Sequence, residues 1–323
     1  MQQSNNIRER IFEVDQNFDG WRLDLFLVAR LPRLSRTRAA EIVKFGDLTL
    51  QRANNPPKKI KASTKLIYQD KILLREHLPP ENLIDEEVSI CFEDEEIIAL
   101  SKPPGMLVHE AGKVRLNTIV AYLERHGYAD AGPVHRIDRE TSGIVLCGKN
   151  KAWISKLGKI FEHHHPQKTY RAIVRDENER WPIGDLQSID IPLGLKKESL
   201  SGIMMGKGSL HAKTHVKVLA SRLIKDVKCK DLEVEIETGR QHQIRVHLAM
   251  AHTPIAGDKL YGRNERYYLD TIDARNAAPL KEPNIDPTLL FQRHALHAWK
   301  LFFTHPEKGE IRIISKLPYD IWP

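Results

Sequence analysis

Nine consecutive residues, His135-Arg136-Ile137-Asp138-Arg139-Glu140-Thr141-Ser142-Gly143, set Asp138 beside two arginines and a histidine and end in a turn-forming Thr-Ser-Gly. Nearby positive charge favours the ionised form of a carboxyl group. An ionised carboxylate can act as nucleophile or general base. An arbitrary aspartate in such a turn is more often a surface ion pair, so the case for chemistry rests on what the rest of the chain places around it.

The elements that must position Asp138 are legible nearby. Ile144-Val145-Leu146-Cys147 is a continuous apolar run and reads as a buried strand. The polar stretch before it is then a loop that delivers Asp138 to one end of a sheet, a common place for a site. Glu96-Ile97-Ile98-Ala99-Leu100 is a second strand, broken into a stiff loop by Lys102-Pro103-Pro104-Gly105 and ending at His109. Residues 117–126 read as a helix with Ile119, Val120 and Leu123 as its apolar set. Trp153, Leu157 and Ile160 mark another, ending near His163-His164-His165-Pro166. Adjacent residues of a helix or strand do not converge on one ion, so the three histidines are read as a helix end and no metal site is expected.

Farther on, 168–174 is strand-like, with Tyr170, Ala172 and Val174 on one face. Tyr170 is either half-buried packing or a ring offered to a flat ligand. Residues 202–209 are glycine-rich but lack the spacing and the Lys-Ser/Thr pair of a phosphate loop, so they read as a flexible turn. Leu232, Val234 and Ile236 alternate with glutamates, the pattern of a strand with one wet face. Thr238 followed by Gln241 suggests a capping box, so 238–249 is read as a turn entering a helix. Ile244, Leu248 and Ala251 form its packing stripe, while Arg240, Arg245 and His247 supply charge or hydrogen bonds. Residues 254–262 read as a loop, 264–291 as an irregular insertion, and 294–306 with 311–314 as a closing hairpin.

Whole-chain properties narrow the class. At 323 residues the chain predicts about two domains. It is 41% hydrophobic and 29% charged, as ordinary globular proteins are, and no apolar run nears the ~18 residues that span a bilayer. The polar start has no signal-peptide core, which predicts a cytoplasmic protein. Cys91, Cys147 and Cys229 lie far apart and fit reduced structural thiols. The formal charge is +7 but uneven: residues 20–76 hold 13 Lys/Arg against 5 Asp/Glu, whereas 77–97 hold 8 acids and no Lys/Arg. A basic block, an acidic connector and a basic body suggest two nucleic-acid-facing parts joined by a segment that avoids phosphate.

In the basic block, Leu23, Phe26, Leu27 and Leu31 fall at helical spacing up to Pro32. Ser35 is a candidate N-cap for a second helix running to Phe45 and Gly46. Leu48-Thr49-Leu50, Lys65-Leu66-Ile67-Tyr68 and Ile72-Leu73-Leu74 read as short strands. Through Arg22-Leu23-Asp24, Leu34-Ser35-Arg36-Thr37-Arg38-Ala39 and Gly46-Asp47, this block resembles the small RNA-binding domain named after ribosomal small-subunit protein four. It departs from that pattern at Gln51-Arg52-Ala53-Asn54 and at Tyr68-Gln69-Asp70. Arg22, Arg36, Arg38 and Lys44 are its expected RNA contacts. The expected organisation is a flexible stretch over 1–18, the RNA-binding domain over 19–76, an acidic linker over 77–87 and a catalytic domain over 88–323.

The body resembles the RluA family of pseudouridine synthases. The likeness spans nearly all of 88–323 and rests on separated motifs in order: 102–109, 135–143, 168–174, Ile189-Asp190-Ile191-Pro192-Leu193-Gly194, Ala212-Lys213-Thr214, 238–249, 254–261 and 294–306. Glu110 stands where the family has Pro, and Ile137 where Leu is commoner. The resemblance implies an α+β fold with a mixed, largely antiparallel central sheet flanked by helices. It implies a catalytic Asp138, Tyr170 near the target base and Arg245 paired with the carboxylate. Arg136 matches the position linked to base extrusion. His135, Thr141, Arg240, Gln243 and Ile244 join it as substrate-binding residues.

The expected reaction is isomerisation of uridine in RNA to pseudouridine, with no cofactor, large-subunit ribosomal RNA as first substrate and tRNA as second. No membrane or DNA partner is expected, and a monomer is. Two rivals remain at this level. One is a non-catalytic RNA-binding or ribosome-assembly factor. The other is a glycoside-type hydrolase using Asp138 with Glu140, which needs two carboxylates opposed across a sugar.

Overall fold

The computed structural model describes residues 7–31, 36–77, 81–112, 114–163, 166–277 and 289–323. The chain folds as two units, Met1–Pro80 and Glu81–Pro323. In the first, β1 (Ile7–Glu13), α1 (Leu23–Arg30), α2 (Arg36–Phe45), β2 (Asp47–Gln51), β3 (Lys58–Lys59) and β4 (Lys71–His77) follow in chain order. The strands form an antiparallel sheet, β1-β4-β2-β3. Leu23, Phe26 and Leu27 of α1 and Ala39 and Val43 of α2 meet Leu48, Leu50, Ile72 and Leu74 in one core. Those spacings of three or four on the helices, and of two on the strands, are what put each set on one face.

Two expectations change in this unit. The loose hold expected over 1–18 gives way to a strand: Ile7–Glu13 pairs in full register with β4, from Ile7↔His77 to Glu13↔Lys71. The free edge of β4 offers unpaired backbone groups, and even a polar strand satisfies them. Lys65-Leu66-Ile67-Tyr68 is not a strand. It forms one bridge, Lys65 to Arg22, and then turns at Gln69, whose φ is 70°. Buried Asp70 holds that turn, accepting the Ile67 N–H at 2.8 Å and two Arg52 N–H groups at 2.9 and 2.8 Å. Pro32 and Ser35 lie outside the described residues.

In the second unit, β5 (Ser89–Glu93), β6 (Ile97–Lys102), α3 (Ile119–Arg125), β7 (Gly132–Pro133), β8 (Ser142–Gly148), α4 (Lys151–His163), β9 (Gln167–Arg175) and β10 (Leu186–Asp190) come first. Then follow β11 (Leu193–Leu195), β12 (Met205–Lys207), β13 (Lys213–Ile224), β14 (Val227–Ile236), α5 (Gln243–Met250), α6 (Glu265–Ala277), β15 (Leu296–His305) and β16 (Gly309–Ile314). The main sheet runs β10-β13-β14-β9-β15-β8-β6-β5, with β16 on β15 and β7 on β8. It is mixed and largely antiparallel; β8 and β15 run parallel. The unbroken apolar runs of β6 and β8 have a simple cause: both faces are covered. Ile98, Leu100, Val145 and Cys147 join Ile119 and Leu123 of α3 on one face. Ile97, Ala99, Ile144 and Leu146 join Trp153, Leu157 and Ile160 of α4 on the other.

Three further expectations change. The acidic stretch read as a linker is held down from Glu81, whose carboxylate accepts the backbone N–H groups of Arg115, Leu116 and Asn117 at 2.7–3.0 Å. The glycine-rich turn at 202–209 contains β12, which pairs with β11. The stretch read as irregular contains α6, while 278–288 lies outside the described residues. Glu265, first residue of α6, accepts from Ser199 Oγ and Ser201 Oγ, both at 2.6 Å, which ties the start of α6 to the chain just before the 202–209 stretch. The three cysteines are unbridged. No helix among the described residues is long and apolar enough to cross a membrane.

Gly143 fixes the β8–β15 pairing. Its φ is +108°, and a Cβ there would lie 2.1 Å from the Ala298 carbonyl oxygen. Gly143→Ala is expected to destabilise the protein by more than about 3 kcal/mol, adding backbone strain to overpacking. Gly158→Ala, on α4 with nothing within 4 Å of where its new methyl group would stand, should be neutral or stabilising by up to about 1 kcal/mol. Calorimetric melting of both variants checks the contrast.

Candidate active site

Asp138 reaches the sheet end on a turn that is stitched from below. The buried Lys102 ammonium donates to the carbonyls of Pro103 and Met106 at 2.8 Å and of Arg139 at 3.1 Å. Gly105 N–H donates to the Arg139 carbonyl, and Arg139 Nε donates back to the Gly105 carbonyl, both at 2.9 Å. The loop after β6 and the turn bearing Asp138 therefore move as one piece. Burial pulls the Lys102 pKa down to about 7, against the opposing field of Asp138.

Arg245, on α5, sits between two carboxylates. Its Nε and Nη2 donate to Asp258 at 2.7 and 3.0 Å, and its Nη1 donates to Asp138 Oδ2 at 2.9 Å. Asp258 Oδ1 also accepts the N–H groups of Leu260 and Tyr261 at 2.8 and 3.0 Å. Asp258 is thus fully used as an anchor. The Asp138 side chain keeps 20% exposure, and Arg245 engages its Oδ2. Burial pushes the Asp138 pKa up, but the positive potential of His242, Arg245 and His294 more than reverses this, to about 2. Burial holds His242 and His294 themselves at about 4. At neutral pH both rings are uncharged, and Arg245 is the cation hydrogen-bonded to Asp138.

A cleft open to solvent lies over Asp138. Tyr170, Ile236, Ile244 and Leu296 give it apolar walls. The Tyr170 hydroxyl has no hydrogen-bond partner among the described residues, and burial raises its pKa, so it is a neutral phenol. Arg136 lines the cleft, is exposed, and has no ion pair or hydrogen bond among the described residues.

The other expected substrate-binding residues divide. Thr141 lines the cleft and bonds His294 Nε2 at 2.8 Å. Arg240 stands exposed on the rim, its Nε donating to the His211 carbonyl at 3.0 Å. Gln243 lines the cleft, but both ends of its amide are used. Oε1 accepts from Thr238 Oγ1 and the Arg240 N–H, and Nε2 donates to the Lys213 carbonyl and Thr214 Oγ1. That clamp replaces the expected capping box, and α5 starts at Gln243 after a left-handed His242. His247 pins the helix from below, bonding Thr214 Oγ1 and the Ile191 carbonyl at 2.9 Å.

The expectation for His135 is corrected. Its Nε2 accepts the Leu146 N–H at 3.0 Å, its ring stacks on Phe161 at 4.9 Å, and it is not among the cleft-lining residues. Packing against α4 has taken the imidazole away from the cleft. Glu140 is turned to Lys259, 2.6 Å away, and does not oppose Asp138 across the cleft. The sequence reading missed the roles of Lys102, His242, Asp258, Tyr261 and His294. All lie inside or beside its motifs, but spacing carries no sign of which side chains converge.

The N-terminal unit places its expected RNA contacts differently. Arg22 forms a two-point pair with buried Asp24, through Nε at 3.0 Å and Nη2 at 2.9 Å, and Arg36 Nε lies 3.4 Å from the same acid. Lys44 lies on α2 and has a partner of its own. The Arg38 side chain is outside what the structure describes.

One other cluster has metal-ligand types. Asp94, Glu96 and His305 offer ligand atoms within 4.8 Å of one another. The Lys308 ammonium already bridges the two acids, and His305 Nδ1 accepts the Glu307 and Lys308 N–H groups. That leaves the imidazole proton on Nε2 and no lone pair for an ion. His163 ends α4, and His164 and His165 lie outside the described residues.

Residues 96–250 match the family described as RNA pseudouridylate synthase. The chain is 31% identical over 320 residues to a ribosomal large subunit pseudouridine synthase D of Zymomonas mobilis, covering 94% of this chain and 92% of that one. It is 29% identical over 314 residues to an RNA pseudouridine synthase of Bacillus subtilis, YlyB, covering 93% and 91%. In fold it resembles human RNA Pseudouridylate Synthase Domain Containing 1, with a TM-score of 0.55 at 20% identity over 73% of this chain and 86% of that one. With the identity and coverage of those relatives beside the cleft over Asp138, the chain belongs to the RNA pseudouridylate synthase family.

Proposed function

We propose that this protein isomerises specific uridines of large-subunit ribosomal RNA, with Asp138 as its catalytic carboxylate. The carrying observation is the convergence of Asp138, Arg245 and Tyr170 on one cleft from segments far apart in the chain. Relatives named for the ribosomal large subunit support the choice of RNA, and that substrate puts the enzyme in the cytoplasm, where ribosomes assemble.

Pseudouridine is an isomer of uridine, so no atom enters or leaves overall. The N1–C1′ bond breaks, a C5–C1′ bond forms, the C5 proton is lost and N1 gains one. No redox partner or group donor is required. Asp138 can attack the sugar or the base, or take a sugar proton. Each route needs an ionised carboxylate, which the field of Arg245 supports. A base inside a stem must first leave the stack, at a cost of a few kcal/mol. The Tyr170 ring can return roughly 1–3 kcal/mol by stacking, and unpartnered Arg136 suits the space the base vacates. Thr141, Arg240 and Ile244 complete the cleft, while Gln243 shapes it.

The N-terminal unit serves as an RNA-binding domain in this reading. Arg22 and Arg36 are paired to Asp24. Lys58, Lys59, Lys61 and Lys65 are exposed and have no carboxylate partner among the described residues. Unpaired ammonium groups are the ones free to displace counterions from phosphate.

Three outcomes are expected. Asp138→Asn should lower turnover by roughly 10⁴-fold or more with folding and RNA affinity retained, because buried Arg245 keeps its two bonds to Asp258. Pseudouridine maps of cells lacking the protein, resupplied with wild type or Asp138→Asn, test this. Sites restored by wild type alone, within large-subunit rRNA, support the reading. Sites in tRNA move the substrate, and full restoration by Asp138→Asn leaves an RNA-binding factor. Tyr170→Phe should keep at least ~10-fold more activity than Tyr170→Ala, since only the latter loses stacking. Replacing Lys58, Lys59, Lys61 and Lys65 together by Ala should flatten the salt dependence of RNA binding by about 3 in slope, read by anisotropy across a salt series.

A further inference from the structure

His242 has no part in the uridine chemistry set out for Asp138, Arg245 and Tyr170, yet the fold goes to some trouble to place it. It precedes α5 with φ 55° and ψ 16°, a left-handed conformation that non-glycine residues seldom adopt. Such strain persists only where the surroundings over-determine it. Here it carries the imidazole into the cleft, beside Asp138.

Two contacts decide which ring nitrogen carries the proton. His242 Nδ1 lies 3.0 Å from the Tyr261 hydroxyl oxygen, and that oxygen accepts the Met205 backbone N–H at 2.9 Å. Tyr261 is 3% exposed, so its hydroxyl proton needs a protein acceptor, and Nδ1 is the one in reach. Were Nδ1 protonated instead, the hydroxyl would accept twice and its own proton would be buried without a partner. Nδ1 is therefore the acceptor, and the neutral ring carries its proton on Nε2. Nε2 faces Asp138 Oδ1 at 4.0 Å. Oδ2 is the oxygen that Arg245 engages.

We propose that His242 is a positioning residue for Asp138: the sequence Met205 N–H, Tyr261 hydroxyl, His242 fixes the Nε2–H tautomer and aims it at the carboxylate oxygen that Arg245 leaves open. The 4.0 Å separation closes to a hydrogen bond when RNA fills the cleft, as catalytic contacts commonly tighten on binding. A neutral donor suits this place. It restrains rotation of the carboxylate without adding a second full positive charge that would blunt its reactivity. Met205 lies on β12, so the small β11–β12 sheet reaches the reacting carboxylate through this chain of bonds.

The inference rests on Asp138 being the reactive carboxylate, but the tautomer does not, and the two are tested apart. In full-length protein labelled with 15N-histidine, the His242 resonances, assigned by their loss in His242→Asn, should show Nε2 protonated and Nδ1 bare at pH 7. Tyr261→Phe should shift them toward the other tautomer. With RNA substrate, His242→Asn, whose side chain tolerates the left-handed backbone, should lower kcat by about 10–100-fold with KM within about twofold. Tyr261→Phe should lower kcat in the same direction, and the double variant should be no slower than His242→Asn. A proton on Nδ1 in the wild type overturns the proposal. So does an unchanged kcat, a loss confined to KM or melting temperature, or losses that multiply in the double variant. If Asp138→Asn retains turnover, the functional reading fails while the tautomer result stands on its own.

Discussion

A single guanidinium held between two carboxylates sets the geometry of the cleft. Taking Arg245 out of water costs several kcal/mol unless its N–H groups are met by acceptors in good geometry. Asp258 meets two of them at one planar edge, and Asp138 meets a third from the other side. The two acids are unequal. Asp258 is fully enclosed and also accepts two backbone N–H groups. Asp138 has one arginine bond and partial exposure. The arginine is thus anchored by one acid and used to hold the other, so its position does not depend on the state of Asp138.

That arrangement needs a rigid frame beneath it. β8 is buried along its whole length and leads directly from the Asp138 turn. Gly143 lets it approach β15 where a side chain could not fit. Lys102 meets three carbonyls with its side-chain nitrogen, so two loops become one body. Removing that amine would leave the Pro103 and Met106 carbonyls without a donor beneath the carboxylate, while the Arg139 carbonyl would keep the Gly105 N–H, so the part Lys102 plays under the cleft is structural.

The same logic of distant partners explains where local reading fell short. The glycine-rich stretch at 202–209 carries no strong strand pattern, and the stretch after Asn264 no strong helical stripe. Their order comes from Glu265 on Ser199 and Ser201, and from the Tyr261 hydroxyl on Met205. Likewise Ile7–Glu13 is a polar segment that becomes a strand because β4 needs a neighbour. His135 sits in the most suggestive motif of the chain, yet its ring is turned to Phe161 by the packing of α4.

Apolar periodicity is local, and several motifs in fixed order are specific. For those two reasons the buried strands, the amphipathic helices, the basic character of the N-terminal block, and Asp138, Tyr170 and Arg245 as a set worth joining can all be read from the residues in line. Which polar side chains share an environment cannot be read that way; it is settled by the folded chain. Asp258 as anchor, Lys102 as tie, His242 with its bound tautomer, and the loss of His135 from the cleft all follow from contacts between residues well separated in the chain, or from a backbone turn that no spacing records. Hydrogen-bond satisfaction in a buried site is a property of all the partners at once, and those partners meet only in three dimensions.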